Sequence, residues 1–128
     1  MTTKQIRPTK LELSILNVLW QKGPATVREI HAVITQLKPT AVNTVLRMLQ
    51  IMTEKELVTR DDTVRPQIYR ARYSQQQTQT HLVKDLIQRA FDGSVKEMVL
   101  RALSTRKPSP KTLKAMEKLL EEFEGDSK

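Results

Sequence analysis

Asn43, Thr44, Arg47 and Gln50 fall at spacings that put them on one outer face of a helix. Their chemistry suits the edges of nucleic-acid bases. Arg grips guanine with two hydrogen bonds, and Asn or Gln does the same for adenine. Arg28, Arg60, Arg65 and Arg70 are cations that could meet phosphate oxygens, and Thr40 joins this DNA-binding set. Rival readings stand beside each. The helix face could be merely solvated, and arginines on a hairpin also protect strand edges from aggregation. Catalysis finds little support. His31 and His81 lie far apart and read as polar helix residues, and no Ser-His-Asp arrangement or metal-ligand spacing occurs. No catalytic residue, metal or cofactor is expected.

These residues need elements to hold them. Thr9-Lys10-Leu11-Glu12 is a capping box that opens a helix with Leu11, Ile15, Leu16 and Leu19 on its apolar face, ended by Gly23-Pro24. Trp20 reads as core. Thr26-Val27-Arg28-Glu29 opens a second helix, with Val27, Ile30, Val33, Ile34 and Leu37 facing inward, and Lys38-Pro39 breaks it. Thr40 can cap a third, whose buried stripe is Val42, Val45, Leu49 and Met52. From Leu57 the period shortens to two. Leu57–Arg60 and Gln67–Tyr73 alternate as strands, and Asp61–Pro66 turns between them. Arg60, Arg65, Arg70 and Arg72 lie on or beside this hairpin.

The remainder is helical. Ser74–Thr80 is polar, marking either a domain boundary or a helix start. Leu82, Val83, Leu86, Ile87, Ala90 and Phe91 form a stripe ended by Asp92-Gly93. Ser94-Val95-Lys96-Glu97 is a third capping box, followed by Met98, Val99, Ala102 and Leu103. Ser109-Pro110 starts a last helix, with Leu113, Met116, Leu119, Leu120 and Phe123 on its apolar face. The acidic run Glu121–Asp126 reads as a solvated tail, and the methionines read as filler of apolar faces.

Composition narrows the classes. The chain has 128 residues, 22 Lys/Arg against 14 Asp/Glu, and a net charge of +8. That size holds one compact domain or two small ones, and the charge favours a polyanionic partner. Twelve of the cations lie before residue 76, against six acids. No cysteine is present, which excludes disulfides, a thiol nucleophile and thiolate zinc sites. Aromatic residues are 4%, too few for a base-stacking single-strand binder. Three glycines argue against a phosphate-cradling loop. No apolar stretch approaches a bilayer span, so no membrane insertion is expected. Met1–Pro8 has no apolar signal core, so a soluble, cytoplasmic protein is expected.

Three short helices and a β-hairpin describe a winged helix-turn-helix, in which the third helix enters the major groove. The expected fold is mainly α: a winged DNA-binding domain over 1–75, then a three-helix dimerisation domain over 76–128. The later stripes are too small a set to bury themselves well alone. Pairing with a second copy through Leu82, Leu86, Val95, Val99, Leu103, Met116 and Leu120 would cover them. It would also present two reading helices to a palindromic site. The alternative is that these helices fold back within a monomer. Two other functions stay open: a winged-helix protein-interaction adaptor, and a non-specific DNA-coating protein.

Several blocks resemble the penicillinase repressors and the related methicillin-resistance and copper-responsive repressors. Leu16–Ile30 is similar to their first signature. Asn43–Gln50 followed by Glu54-Lys55-Glu56-Leu57-Val58 resembles the recognition helix and the turn into the wing. Tyr69–Tyr73 is similar to the second wing strand, and Gly93–Leu100 with Ser109–Leu120 to the dimerisation half. The resemblance implies a homodimeric repressor on a palindromic operator, controlling a β-lactamase or other resistance or stress gene. It implies Thr44 as a DNA contact. It also implies a membrane sensor-protease as a partner that relieves repression after meeting a β-lactam. Three departures stand out. The family usually has Gly where Glu56 stands, and Asn-Phe, a common cleavage point, is Arg101-Ala102 here. The cysteine cluster of the copper branch is absent.

Overall fold

The computed structural model describes residues 7–126. Most of the N-terminal stretch without a signal core lies outside them. The order is α1 (Lys10–Lys22), α2 (Val27–Leu37), α3 (Val42–Glu54), β1 (Val58–Asp61), β2 (Ile68–Ala71), α4 (Gln75–Ala90), α5 (Val95–Thr105) and α6 (Pro110–Asp126). This is the expected architecture of three helices, a hairpin wing and three further helices. The chain forms two compact units, Met1–Lys84 and Asp85–Lys128.

In the first unit the capping boxes set the helix starts. Thr9 and Glu12 exchange bonds at α1, and Thr26 and Glu29 do so at α2. Gly23 ends α1 at φ 88°, a left-handed conformation that glycine adopts without a Cβ clash. Ile15, Leu16, Leu19, Ile30, Ile34, Val45, Leu49 and Met52 are buried together. Each such side chain contributes roughly 1.5–3 kcal/mol through lost apolar hydration. The hairpin pairs antiparallel, with Val58 opposite Ala71 and Arg60 opposite Tyr69. Tyr69 is buried and also bonds across to Ala25, whose N–H donates to Tyr69 O at 3.0 Å and whose O accepts from Tyr69 N at 2.8 Å. Trp20 packs against the core, and its Nε1 donates to Tyr73 O at 3.0 Å. The wing is thus fastened to the link between α1 and α2.

Three local expectations are corrected. Leu37, expected inside, is 74% exposed because it is the last residue of α2, where the chain leaves the core. Val42, at the first turn of α3, is 36% exposed for the same end-of-helix reason. Thr40 does not cap α3. Its hydroxyl donates to Lys38 O at 2.7 Å, and the N-cap is Ala41, with no side-chain cap bond.

The polar run after Tyr73 begins α4. Ser74 N–H donates to Gln77 Oε1 at 2.9 Å, and Gln77 N–H to Ser74 Oγ at 3.0 Å. In the second unit, Ser94 accepts from Glu97 N–H at 3.1 Å, but the expected third capping box is only half made, because the Ser94 N–H donates to Phe91 O at 2.8 Å rather than to Glu97. Ser109 accepts from Thr112 N–H at 3.2 Å. No described residue of α5 or α6 is buried. Val95, Val99, Leu100, Leu103, Leu113, Leu119, Leu120 and Phe123 are all exposed. Among the described residues, no helix is long and apolar enough to cross a membrane.

Candidate nucleic-acid interface

Helix α3 turns Val45, Leu49 and Met52 into the core at essentially full burial. The opposite side is therefore fixed by the helical period. Asn43, Arg47 and Gln50 follow one another at i, i+4 and i+7 along it. Thr44 flanks them, and all four are exposed. Glu54 shares this side at the far end, so the face is polar and mixed in charge rather than uniformly basic. The first turn adds what the sequence reading missed. Ala41 and Val42 are exposed beside Asn43, and such apolar side chains suit the methyl group of thymine. They were hidden in the sequence because Val42 continues the period of the buried stripe.

The loop before α3 is held firmly. His31 Nε2 donates to Thr40 O at 2.6 Å, and Thr40 N–H donates to Thr35 Oγ1 at 3.2 Å. Thr40 is half-buried, with its N–H and hydroxyl both engaged inside the turn. A cleft of about 680 Å³ runs beside this turn, lined in part by Lys10, Leu37, Lys38, Thr40 and Thr44. Lys10 and Lys38 bring two cations next to the start of α3, and only their place in the fold reveals it.

Arg28 is exposed in the first turn of α2. The hairpin arginines are less alike than their sequence suggests. Arg60 is tied to its neighbour, with Nε 2.7 Å from Asp62 Oδ1. The Asp62 carboxylate, and then Tyr69, hold its guanidinium more firmly protonated than an ordinary arginine. Part of its attraction for a phosphate is thereby offset by a neighbouring carboxylate. Arg65 at the turn and Arg70 on β2 are exposed, and the Arg70 charge adds a small electrostatic pull on the Asp61 carboxyl. Arg72 lies 3.6 Å from Glu56 Oε1 and 5.7 Å from the Tyr73 ring centre. At the turn, Asp61 accepts from Thr63 through both hydroxyl and N–H, and these bonds hold its carboxyl below the usual range.

Glu56, where the resemblance expects glycine, has φ 62°. The left-handed turn into the wing is therefore kept with a side chain that disfavours it. Of the residues expected to pair two copies, Leu86, Val95, Val99, Leu103 and Leu120 are exposed, while Leu82 and Met116 are half-buried. They are spread over α4, α5 and α6. Among the described residues, no group of three His, Asp or Glu could hold a metal ion.

The sequence profile of the penicillinase repressors matches residues 8–122. The penicillinase repressor of Staphylococcus aureus is 19% identical over 123 residues, covering 96% of this chain and 98% of that protein. The match therefore spans the winged part and the three later helices alike. On that coverage, and on the fold described above, the chain belongs to the penicillinase repressor family, which are winged-helix DNA-binding transcriptional repressors and not enzymes.

Proposed function

We propose that the chain is a cytoplasmic, homodimeric repressor that binds a palindromic operator in double-stranded DNA. In this reading residues 1–75 contact DNA and residues 76–128 join two copies. The observation that carries it is the outer face of α3, where Asn43, Thr44, Arg47 and Gln50 stand exposed opposite a fully buried stripe. That face would read base edges in the major groove. Arg28, Arg65 and Arg70, with Lys10 and Lys38, would contact phosphates, and Thr40 would act by holding the turn. Arg60 would contribute less than the other arginines, because Asp62 already engages it.

Dimerisation is supported by the later helices. They leave eight large apolar side chains of α5 and α6 exposed and none buried among the described residues, the kind of surface that a partner covers. A second copy offers the same face and the two-fold symmetry that a palindrome requires. The regulated gene we propose is a β-lactamase or another resistance or stress gene. A membrane sensor-protease that relieved repression would cut at a bond other than Asn-Phe, because Arg101-Ala102 occupies that place within α5.

The test is capture of fragmented host DNA by the full chain, beside a variant with Asn43, Thr44, Arg47 and Gln50 all changed to Ala. The wild type should retain a few fragments reproducibly, and the variant none selectively. Retention of every fragment alike by both proteins would instead favour a non-specific DNA-coating protein. No retention by either would favour a protein-interaction adaptor. If six to ten phosphates are neutralised per dimer, affinity should fall about 10³–10⁵-fold between roughly 50 and 200 mM salt.

A further inference from the structure

Glu12 is fully buried, and the DNA-reading surface makes no use of its charge. The chain supplies its own comparison. Glu29 forms the same capping box with Thr26, accepting from Thr26 N–H at 2.9 Å, yet it stays exposed. Capping a helix therefore does not require burial. Glu12 does more. Its Oε1 accepts from Thr9 N–H at 2.8 Å, and both of its oxygens accept from Lys55 Nζ at 3.0 Å.

Lys55 is the C-cap of α3. The bond thus joins the first turn of α1 to the end of α3. The next residue is Glu56, in its left-handed conformation, whose carboxylate lies 3.6 Å from Arg72 just beyond the second wing strand. Two ion pairs meet where the chain passes from α3 to the wing. Glu12 is buried but the Lys55 side chain is 44% exposed, and a pair with one solvated partner adds only modest net stability, so its position points to geometry rather than strength.

We propose that Glu12 and Lys55 are positioning residues, whose ion pair fixes the end of α3 and so the angle of its outer face relative to the wing during selective DNA binding. This rests on the reading of α3 as the DNA-reading helix. Neither residue needs to touch a base. The pair acts through Asn43, Arg47 and Gln50, whose reach to base edges depends on how the helix is held.

The test uses the full chain and two duplexes: one recovered from a random pool by the wild type, and a scrambled duplex of the same length. The readout is the ratio of the two affinities, with folding checked by circular dichroism. Glu12→Gln keeps the acceptor for Thr9 and removes the charge. Lys55→Met keeps the stem. Each should lower the ratio about tenfold, the discrimination that one side chain paired to one base supplies, with the salt slope unchanged. Lys55→Arg should hold the ratio, as should Glu29→Gln, which alters the exposed capping box. If either single variant does not fold, above all Lys55→Met, which leaves the buried Glu12 charge unpaired, the double variant Glu12→Gln/Lys55→Met removes both charges and is read the same way. An unchanged ratio in folded variants would overturn the proposal and leave the pair merely structural. An equal loss on both duplexes with the salt slope reduced by about one would make Lys55 a phosphate contact and also overturn it. Equal wild-type affinity for the two duplexes would instead sink the reading of α3 itself.

Discussion

Changing Glu56 tests how the wing is joined to the reading helix. Its φ of 62° places a side-chain-bearing residue where glycine is at ease. For an L-residue this conformation costs roughly 1–2 kcal/mol. Glycine would remove that strain but lose about 0.5–1 kcal/mol through its larger unfolded-state freedom. The pair with Arg72 is long at 3.6 Å, and both side chains are about half-exposed, so it contributes about 0–1 kcal/mol. Comparing Glu56→Gly with Glu56→Ala cancels the pair, because both variants lose it. Alanine keeps the strain, so Glu56→Gly should be the more stable by about 0.5–1 kcal/mol. For a cooperative unit of this size that is a few degrees in Tm. Thermal unfolding followed by circular dichroism at fixed pH and salt reads it. If Glu56→Ala proved as stable as Glu56→Gly, the turn would not be strained and the reasoning would fail.

Arg47→Ala should weaken binding to a selected duplex by about 1–3 kcal/mol and relax preference at one base position; competition titrations would show it, and an equal loss on all sequences would assign Arg47 to phosphate. Val99→Asp combined with Leu120→Asp puts charge on the exposed apolar faces of α5 and α6 and should give a monomer in sedimentation at micromolar concentration, with most operator affinity gone. A persistent dimer would place the interface elsewhere. The carboxyl of Glu29 is held below its usual value, first by the backbone N–H of Thr26 and then by its hydroxyl. Its contribution is therefore present above the ordinary Glu value of about 4.3 and is lost as pH falls through the lower folded value. The Tm gap between wild type and Glu29→Gln should accordingly narrow on acidification, and a gap that widened would contradict the assignment.

Much of the fold was legible because its signals are local. Both capping boxes that open α1 and α2 read correctly from four residues each, since a Thr and a Glu three apart satisfy one another's amides. The change of period at Leu57 announced the hairpin. The errors fall at helix ends. Leu37 and Val42 keep the apolar period but lie where the helix has already left the core, and periodicity carries no information on where packing stops. Thr40 has the chemistry of a cap, but the helix starts one residue later with Ala41 as its N-cap, and the Thr40 hydroxyl donates to Lys38 O instead of accepting from a helix N–H. The pairing of Ala25 with Tyr69 and of Glu12 with Lys55 joins residues more than forty apart, which no local pattern reports. The outer face of α3 was visible as a spacing. The cations of Lys10 and Lys38 beside it were not, because the fold alone brings them to one cleft.

The central claim is that two copies read one palindromic site through α3. Selection of bound duplexes from a random pool by the full chain, in about 150 mM salt, tests it most directly. The account predicts an inverted repeat with half-site centres about one helical turn apart, roughly 10 base pairs, or a multiple of that. Recovery of a single unrepeated motif, or of no motif, would contradict it.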